Sequence, residues 1–123
     1  MGGIIWLASY PKSGNTWTRA FLHNFVKQSD SAYNINQMNA LSSSDNGHVW
    51  YEEVLGKKVK EATHEELTKA RPLAHKYIHD QTEGFIFLKT HNALVNHDGV
   101  PLHTPQYTAG AVYIVRNPLD VAI

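Results

Sequence analysis

Residues 3–17 read GIIWLASYPKSGNTW, an apolar run followed by proline, lysine, glycine and small polar residues. The run at 3–8 is almost continuously apolar, which is typical of a parallel strand covered on both faces of a sheet. A helical pattern follows at about 16–28, and its apolar residues share one side: Phe21, Leu22, Phe25 and Val26. The sequence therefore predicts a strand, a tight turn at 10–17 and a helix.

A turn of this kind brings backbone N–H groups and a helix N-terminus to one place, where they bind phosphate-like anions. Its sequence differs from the nucleotide-binding P-loop, G-x-x-x-x-G-K-[ST], in which the lysine follows the last glycine. Here Lys12 precedes Gly14, and Ser9 occupies the position of the first glycine. The turn thus predicts an anion site without the common P-loop sequence.

The composition limits the classes of protein to consider. A chain of 123 residues forms at most one domain, and its 42% apolar and 18% charged residues are ordinary for a globular protein. The 11 basic and 11 acidic residues balance, so no overall field directs the protein to nucleic acid or a membrane. With no cysteine in the sequence, disulfides and thiolate metal sites are excluded. The apolar run at 4–8 is too short for a signal sequence or a membrane span, and a cytoplasmic location is expected.

The middle of the chain carries helical patterns. Residues 29–47 are rich in Ser, Asn and Asp and predict an irregular segment, and 49–55 predict a short helix ended by a glycine. Thr63 and Glu66 form a capping box at the start of a longer helix, which is expected to break or kink at Pro72. Four residues of this helix are expected to face inward: Leu67, Ala70, Ala74 and Tyr77.

Two further apolar segments, 85–88 and 111–115, predict a second and a third strand, and Asn117-Pro118 predicts the start of another helix. Strands that alternate with helices are typical of an α/β fold, here a parallel sheet flanked by helices. Ligands of such sheets bind at the carboxyl ends of the strands. The residues at those ends are Lys12 to Trp17, Lys89-Thr90-His91 and Arg116-Asn117-Pro118.

These three segments resemble the motifs of the sulfotransferases that use PAPS, 3′-phosphoadenosine 5′-phosphosulfate. Residues 10–17 match the 5′-phosphosulfate loop Y-P-K-[SA]-G-[TN]-T-W at every position, and 89–91 match the K-T-H after the second strand. Residues 116–121 match R-[ND]-P-x-D-V of the 3′-phosphate site. The resemblance implies a P-loop-NTPase-like sulfotransferase fold and transfer of a sulfuryl group from PAPS to a hydroxyl or amine of a small-molecule acceptor.

The resemblance also implies roles for individual residues. Lys12 would bind the 5′-phosphosulfate together with the backbone of Ser13, Gly14, Asn15 and Thr16. Trp17 would stack on the adenine, and Arg116 would bind the 3′-phosphate, for which a guanidinium fork is well suited. His91 would be the general base, with Lys12 and Lys89 as catalytic cations that stabilise the leaving phosphate and the transferring group. No step requires a metal.

Each of these residues also has a purely structural interpretation. Lys12 is then a solvated turn lysine, Trp17 a core aromatic residue and His91 a hydrogen-bonded structural histidine. Arg116 would pair with Asp120 at i, i+4 on the helix surface.

Two other histidines, His75 and His79, have the i, i+4 spacing of metal ligands on a helix. No third ligand is evident, so we expect them on a solvated face. The remaining histidines lie outside any motif: His23, His48, His64, His97 and His103.

The family's 3′-phosphate segment ends in a serine eight residues after its arginine, which would be position 124. We therefore expect residues 1–123 to be one partial sulfotransferase domain, with Val121 and Ile123 buried by a missing C-terminal segment or by self-association. The alternatives are a non-catalytic or partner-complemented PAP- or PAPS-binding fragment, and a nucleotide kinase of the P-loop class. Residues 29–62 and 92–110 are expected to shape the acceptor pocket.

Overall fold

The computed structural model describes residues 2–28, 30–31, 34–40 and 42–122. Ile123, which the sequence placed at an interface, lies outside the described residues, as does part of the irregular segment 29–47. The described residues form the strands β1 (Gly3–Ser9), β2 (Ser42–Ser44), β3 (Phe85–Thr90), β4 (Asn96–His97), β5 (Val100–Pro101) and β6 (Thr108–Ile114).

Four of these strands form one sheet in the order β2-β3-β1-β6, and each neighbouring pair is parallel. The predicted parallel α/β fold is therefore confirmed. The remaining two, β4 and β5, form an antiparallel hairpin whose turn residues Asp98 and Gly99 have φ of 50° and 76°. These left-handed angles are those of the tight hairpin turn that an Asp-Gly pair favours.

The core is built around β1, which has a hydrogen-bonded neighbour on each side. Ile4 and Leu7 are both fully buried, and they lie on opposite faces of the strand because side chains alternate along it. Ile4 and Trp6 pack with Leu88 of β3 and with Ile78. The continuous apolar run of β1 is thus explained by burial on both faces.

The described helices are α1 (Asn15–Lys27), α2 (His48–Leu55), α3 (His64–Gln81) and α4 (Pro118–Val121), with short 3₁₀ turns at Ile35–Ala40, Val59–Glu61 and Pro105–Tyr107. The capping box is confirmed, since Thr63 Oγ1 accepts from the Glu66 backbone and the Glu66 carboxylate accepts from the Thr63 backbone. Gly56, with φ of 66°, ends α2 as predicted. The helix α3 continues through Pro72, so the predicted break does not occur.

Two features of the N-terminal half differ from what the sequence pattern predicts. The apolar side of α1 is largely exposed, and its buried residues are polar, namely Asn15, Arg19 and His23. The segment expected to be irregular contains β2, a strand of three serines that pairs with β3. Serine has little preference for strands, so the parallel partner rather than local propensity determines this strand.

The expectation of a solvated face for His75 and His79 is wrong. His75 is 1% exposed, its Nδ1 lies 2.8 Å from Thr104 Oγ1, and its ring meets Trp6 edge-on. Burial, with smaller contributions from Arg71 and His103, lowers the pKa of His75 to about 4. His79 is half-buried against the ring of Tyr107. Both rings therefore pack beneath the 3₁₀ turn that leads into β6.

Among the described residues, no helix is both long enough and apolar enough to cross a bilayer.

Candidate functional site

The carboxyl ends of three strands meet at one edge of the sheet. In the register of β1 with β3, Leu7 lies beside Lys89, and in the register with β6, Ser9 lies beside Ile114. The three segments singled out in the sequence begin at these positions or within three residues after them. Residues up to 104 positions apart in the chain are thereby brought into contact, as the Arg116 to Lys12 hydrogen bond shows.

The loop between β1 and α1 has an unusual backbone. Lys12 and Gly14 have φ of 64° and 102°, so the chain is left-handed at two positions of the turn. A lysine rarely adopts such an angle, and residues in this region concentrate at ligand-binding sites. At Gly14 a side chain would be strained even though the space beside it is open.

The start of α1 offers hydrogen-bond donors. The first helical bond is donated by the Thr18 N–H to the Gly14 carbonyl at 3.0 Å, so the N–H groups of the residues before it have no partner within the helix. No side chain caps this end, and the first turn contains no acidic residue. These donors, together with the helix dipole, favour an anion.

The loop forms one wall of a cleft of about 620 Å³. Eight of the nine residues that the sequence proposed for the site line it: Lys12, Gly14, Asn15, Thr16, Trp17, Lys89, His91 and Arg116. The ninth, Ser13, is buried and lines a neighbouring cleft of about 450 Å³, which Arg116 also borders. The structure therefore brings the three sequence segments together.

The cleft has a strong local charge although the whole chain is neutral. Lys12, Lys89 and Arg116 line it, and the described residues of its wall include no carboxylate. Neither lysine forms an ion pair with the residues that the structure describes. Three cations with no neutralising acid make an environment for a ligand with several negative charges.

Arg116 is tied to the loop rather than to its own helix. Its Nη1 donates to the Lys12 carbonyl at 3.2 Å, and no ion pair with Asp120 forms in this described segment. The alternative of an i, i+4 surface pair is therefore wrong. A guanidinium has five N–H donors, so most of the fork stays available to a ligand.

Trp17 is not a core residue. Its side chain is 72% exposed, and its ring stacks on Phe21 with the planes at 5° and the centroids 5.8 Å apart. Phe21 stacks in turn on Phe25 at 6.0 Å. The indole thus stands at the mouth of the cleft with apolar area available for a flat ligand.

His91 follows β3, and its ring orientation is determined by the end of β1. Its Nδ1 lies 2.7 Å from the Ser9 carbonyl oxygen and 3.5 Å from Ser9 Oγ. A carbonyl oxygen can only accept, so Nδ1 carries the proton of the neutral ring and donates it to Ser9. The lone pair of neutral His91 is consequently on Nε2, the atom that can take a proton.

A family model for the sulfotransferase domain matches residues 4–123, nearly the whole chain. The chain belongs to the sulfotransferase family. The domain supports sulfuryl transfer in general, and members of the family generally use PAPS as the donor. Searches of curated proteins and of solved structures found no match to the chain.

The sulfotransferase domain also contains supporting side-chain contacts that the sequence did not reveal, since it gave Asn15 only a backbone role and Arg19 none. Asn15 is buried, and its Nδ2 donates to the Leu7 carbonyl at 2.8 Å and to Ser9 Oγ at 3.1 Å. Its side chain thus fastens the loop to β1. Arg19, on the next turn of α1, donates from Nε to Ser42 Oγ at 2.8 Å and from Nη2 to the Ser42 carbonyl at 2.7 Å. The spacing of Asn15, Arg19 and His23 at i, i+4, i+8 was the available indication that this polar side faces inward.

A group of potential metal ligands lies elsewhere in the sulfotransferase domain. Among the described residues, His64, His97 and Asp98 place one ligand atom each within 4.8 Å of one another. All three are exposed, and none lines the cleft that holds Lys12 and His91.

Proposed function

We propose that this chain transfers a sulfuryl group from PAPS to a hydroxyl or amine, with His91 as general base. The observation that carries the proposal is the hydrogen bond from His91 Nδ1 to the Ser9 carbonyl, which leaves Nε2 as a base in a cleft lined by three cations. A binding module alone has no use for a correctly oriented base. Family membership supports the reaction class.

The positive charge of the cleft supports PAPS as the donor. Lys12 and the loop backbone from Ser13 to Thr16 would bind the 5′-phosphosulfate, where the free N–H groups of α1 favour an anion. Trp17 would stack on the adenine with its exposed face. Arg116 would bind the 3′-phosphate with the donors that the Lys12 carbonyl does not use.

The chemistry then follows from these positions. His91 Nε2 takes the proton of the acceptor as the acceptor oxygen or nitrogen forms its bond to sulfur. On the opposite side the bond from sulfur to the phosphate oxygen breaks, and its electron pair stays on the PAP that leaves. Lys12 neutralises the leaving phosphate, and Lys89 stabilises the charge on the three sulfuryl oxygens. Positioning and cationic stabilisation are sufficient for such an in-line displacement.

A second candidate is a PAP- or PAPS-binding unit that a partner or a second copy completes. Tyr113 and Val115 are each more than 70% exposed and line the cleft that Arg116 borders, so apolar surface adjoins the proposed 3′-phosphate site. In this case residues 1–123 are one partial domain, and assembly completes the donor site. The acceptor would be a small molecule in either case.

The test measures donor binding and transfer separately. Thermal unfolding of the chain is measured with PAP and, in parallel, with ATP and Mg²⁺ at the same concentration. In a separate assay the chain is incubated with ³⁵S-labelled PAPS and a panel of phenols, alcohols and amines. We expect PAP at 100 times its Kd to stabilise the fold by about 2.7 kcal/mol, and label to enter an acceptor. An equal or larger shift with ATP and Mg²⁺ would contradict the PAPS assignment. PAP binding without transfer at any protein concentration would favour the second candidate.

A further inference from the structure

A buried carboxylate lies directly behind the loop that carries His91. Asp45 follows β2 and is 4% exposed, and its backbone N–H donates to the Lys89 carbonyl at 3.1 Å. This bond extends the pairing of β2 with β3 by one residue, to the point where β3 ends. Because β3 lies between β2 and β1, Asp45 and Ser9 lie on opposite sides of the strand that leads to His91.

One oxygen of Asp45 holds both sequence neighbours of His91. Oδ2 accepts from Thr90 Oγ1 at 2.8 Å and from Asn92 Nδ2 at 2.9 Å. Because a carboxylate only accepts, the Thr90 hydroxyl must give its single proton to Asp45. The Thr90 oxygen is then free to accept, and it does so from the Asn92 N–H at 3.1 Å.

Thr90 Oγ1 also determines which nitrogen of a second histidine, His103, carries the proton. His103 Nε2 lies 3.2 Å from Thr90 Oγ1, whose proton is already given to Asp45, so Nε2 is the donor. Thr90 is 1% exposed and His103 is 7% exposed, so water does not compete for these bonds. The network is therefore directional, and Asp45 is its terminal acceptor.

From this geometry we infer that Asp45 is a positioning residue for His91. Its carboxylate holds the side chains of Thr90 and Asn92, the residues before and after His91, while the Ser9 carbonyl holds the ring, so that Nδ1 stays on that carbonyl and Nε2 keeps the lone pair. The inference rests on the proposed function, in which His91 is the base. Asp45 is not among the residues that line the cleft.

The hydrogen bonds, rather than the negative charge, carry the effect. Asp45 Oδ1 is buried without a hydrogen-bond partner among the described atoms, so an amide nitrogen could occupy its place while the amide oxygen accepts both bonds. Asp45→Asn should therefore preserve the position of His91, whereas Asp45→Ala removes both bonds. Misplacement of a catalytic group by about 1 Å can lower the rate roughly 100-fold.

The experiment compares Asp45→Ala, Asp45→Asn and, as a control, Asp80→Ala, which removes an exposed carboxylate on α3. We measure kcat with PAPS, the Kd of PAP and the ¹⁵N resonances of His91, assigned with His91→Gln. For Asp45→Ala we expect kcat to fall between about 10- and 100-fold, PAP affinity to change less than threefold, and His91 to lose its pure Nδ1–H form. Asp45→Asn and Asp80→Ala should stay within about threefold of the parent in both constants.

The inference is overturned if Asp45→Ala keeps kcat within threefold, if it leaves the His91 tautomer unchanged, or if PAP affinity falls as much as kcat. Should Asp45→Ala fail to fold, Asn92→Ala removes one of the two bonds and decides the question. A roughly three- to tenfold lower kcat with unchanged PAP affinity supports the role, and an unchanged kcat refutes it. A parent chain without sulfation activity, whose His91 tautomer still responds to Asp45, would refute the proposed function and leave the positioning of His91 standing.

Discussion

Hydrogen-bond direction governs the chemistry of single residues in the cleft. Ser9 offers His91 a carbonyl oxygen, Asp45 offers Thr90 a carboxylate, and each acceptor determines where the proton of its partner must lie. Both acceptors belong to buried residues, so water does not readily replace them as hydrogen-bond partners. The positions of the protons thus follow from the fold and not from the local sequence.

The first prediction concerns His91. We expect His91→Gln to lower kcat by about 10²–10⁴, because general-base catalysis is lost, and to change the Kd of PAP less than threefold, because the base acts on the acceptor. His48→Gln, at an exposed position at the start of α2, serves as the control and should leave both constants unchanged. Turnover of His91→Gln within threefold of the parent at neutral pH would remove His91 from the mechanism.

The second prediction concerns His75 and the dependence of stability on pH. Burial lowers its folded pKa to about 4, so as pH falls below about 6.5 the unfolded chain takes up a proton first. Stability should therefore be lost between about pH 6.5 and pH 4, by about 3 kcal/mol in total for this one group. Urea unfolding at a series of pH values measures the loss.

The matched variants for this test are His75→Gln and His97→Gln. His75→Gln should be less stable than the parent at pH 7 but should lose less stability on acidification. Part of the dependence of the unfolding free energy on pH remains, because burial also lowers the pKa of His103. His97 is exposed, and its replacement should leave the slope as in the parent. An identical slope for parent and His75→Gln would show that His75 is not buried in its neutral form.

Some helices and strands form because of their own sequence, and others form because of contacts with distant parts of the chain. The helix α3 begins where its own sequence specifies, at the capping box of Thr63 and Glu66. The strand β2 has no such local cause and depends on pairing with β3 and on the two bonds from Arg19 to Ser42. Sequence patterns predict the first kind of element and miss the second.

The third prediction tests the local cause. Thr63→Ala should lower the free energy of unfolding by about 1 kcal/mol, because the Glu66 N–H loses its acceptor. The pKa of Glu66, which Lys57 and the Thr63 backbone lower to about 2, should rise once the capping box is broken. Thr63→Ser keeps the hydroxyl and should keep the stability within a few tenths of a kcal/mol. Equal destabilisation by both variants would mean that the cap does not stabilise α3.

The molecule has no net charge, but positive charge is concentrated in one cleft. Basic and acidic residues are equal in number, yet Lys12, Lys89 and Arg116 share one cleft and the acidic residues lie elsewhere. Several acids are used in surface pairs, such as Glu65 with Lys69 and Glu52 with Lys58. An anionic donor would therefore be attracted by the site rather than by the net charge.

The fourth prediction follows from this arrangement. Lys12→Ala should weaken PAP binding roughly 10- to 100-fold, because a charge-assisted contact is worth about 1.5–3 kcal/mol. Lys60→Ala removes the same charge from an exposed position in the 3₁₀ turn before α3 and should leave the affinity unchanged. Titration calorimetry with PAP measures both. Equal losses would mean that net charge, and not the cleft, attracts the ligand.

The sequence by itself determined most of the helices and strands and the charged residues of the cleft. The loop at 10–17 is contiguous, and the segments at 89–91 and 116–121 each follow an apolar strand, so the rule that sites lie at the carboxyl ends of parallel strands was enough to group them. The parallel sheet and the sulfotransferase family were predictable for the same reason, since both depend on short local patterns.

Only the tertiary structure decided how these residues are held. The bonds of Asp45 to Thr90 and Asn92 join segments up to 47 residues apart, and the burial of His75 and the polar inner side of α1 likewise depend on distant parts of the chain. Local spacing carries no information about such partners, and a polar residue looks solvated until the chain that covers it is known. The candidate base, His91, could be named from the sequence, but which of its nitrogens carries the proton could not, because a carbonyl oxygen 82 residues away determines it.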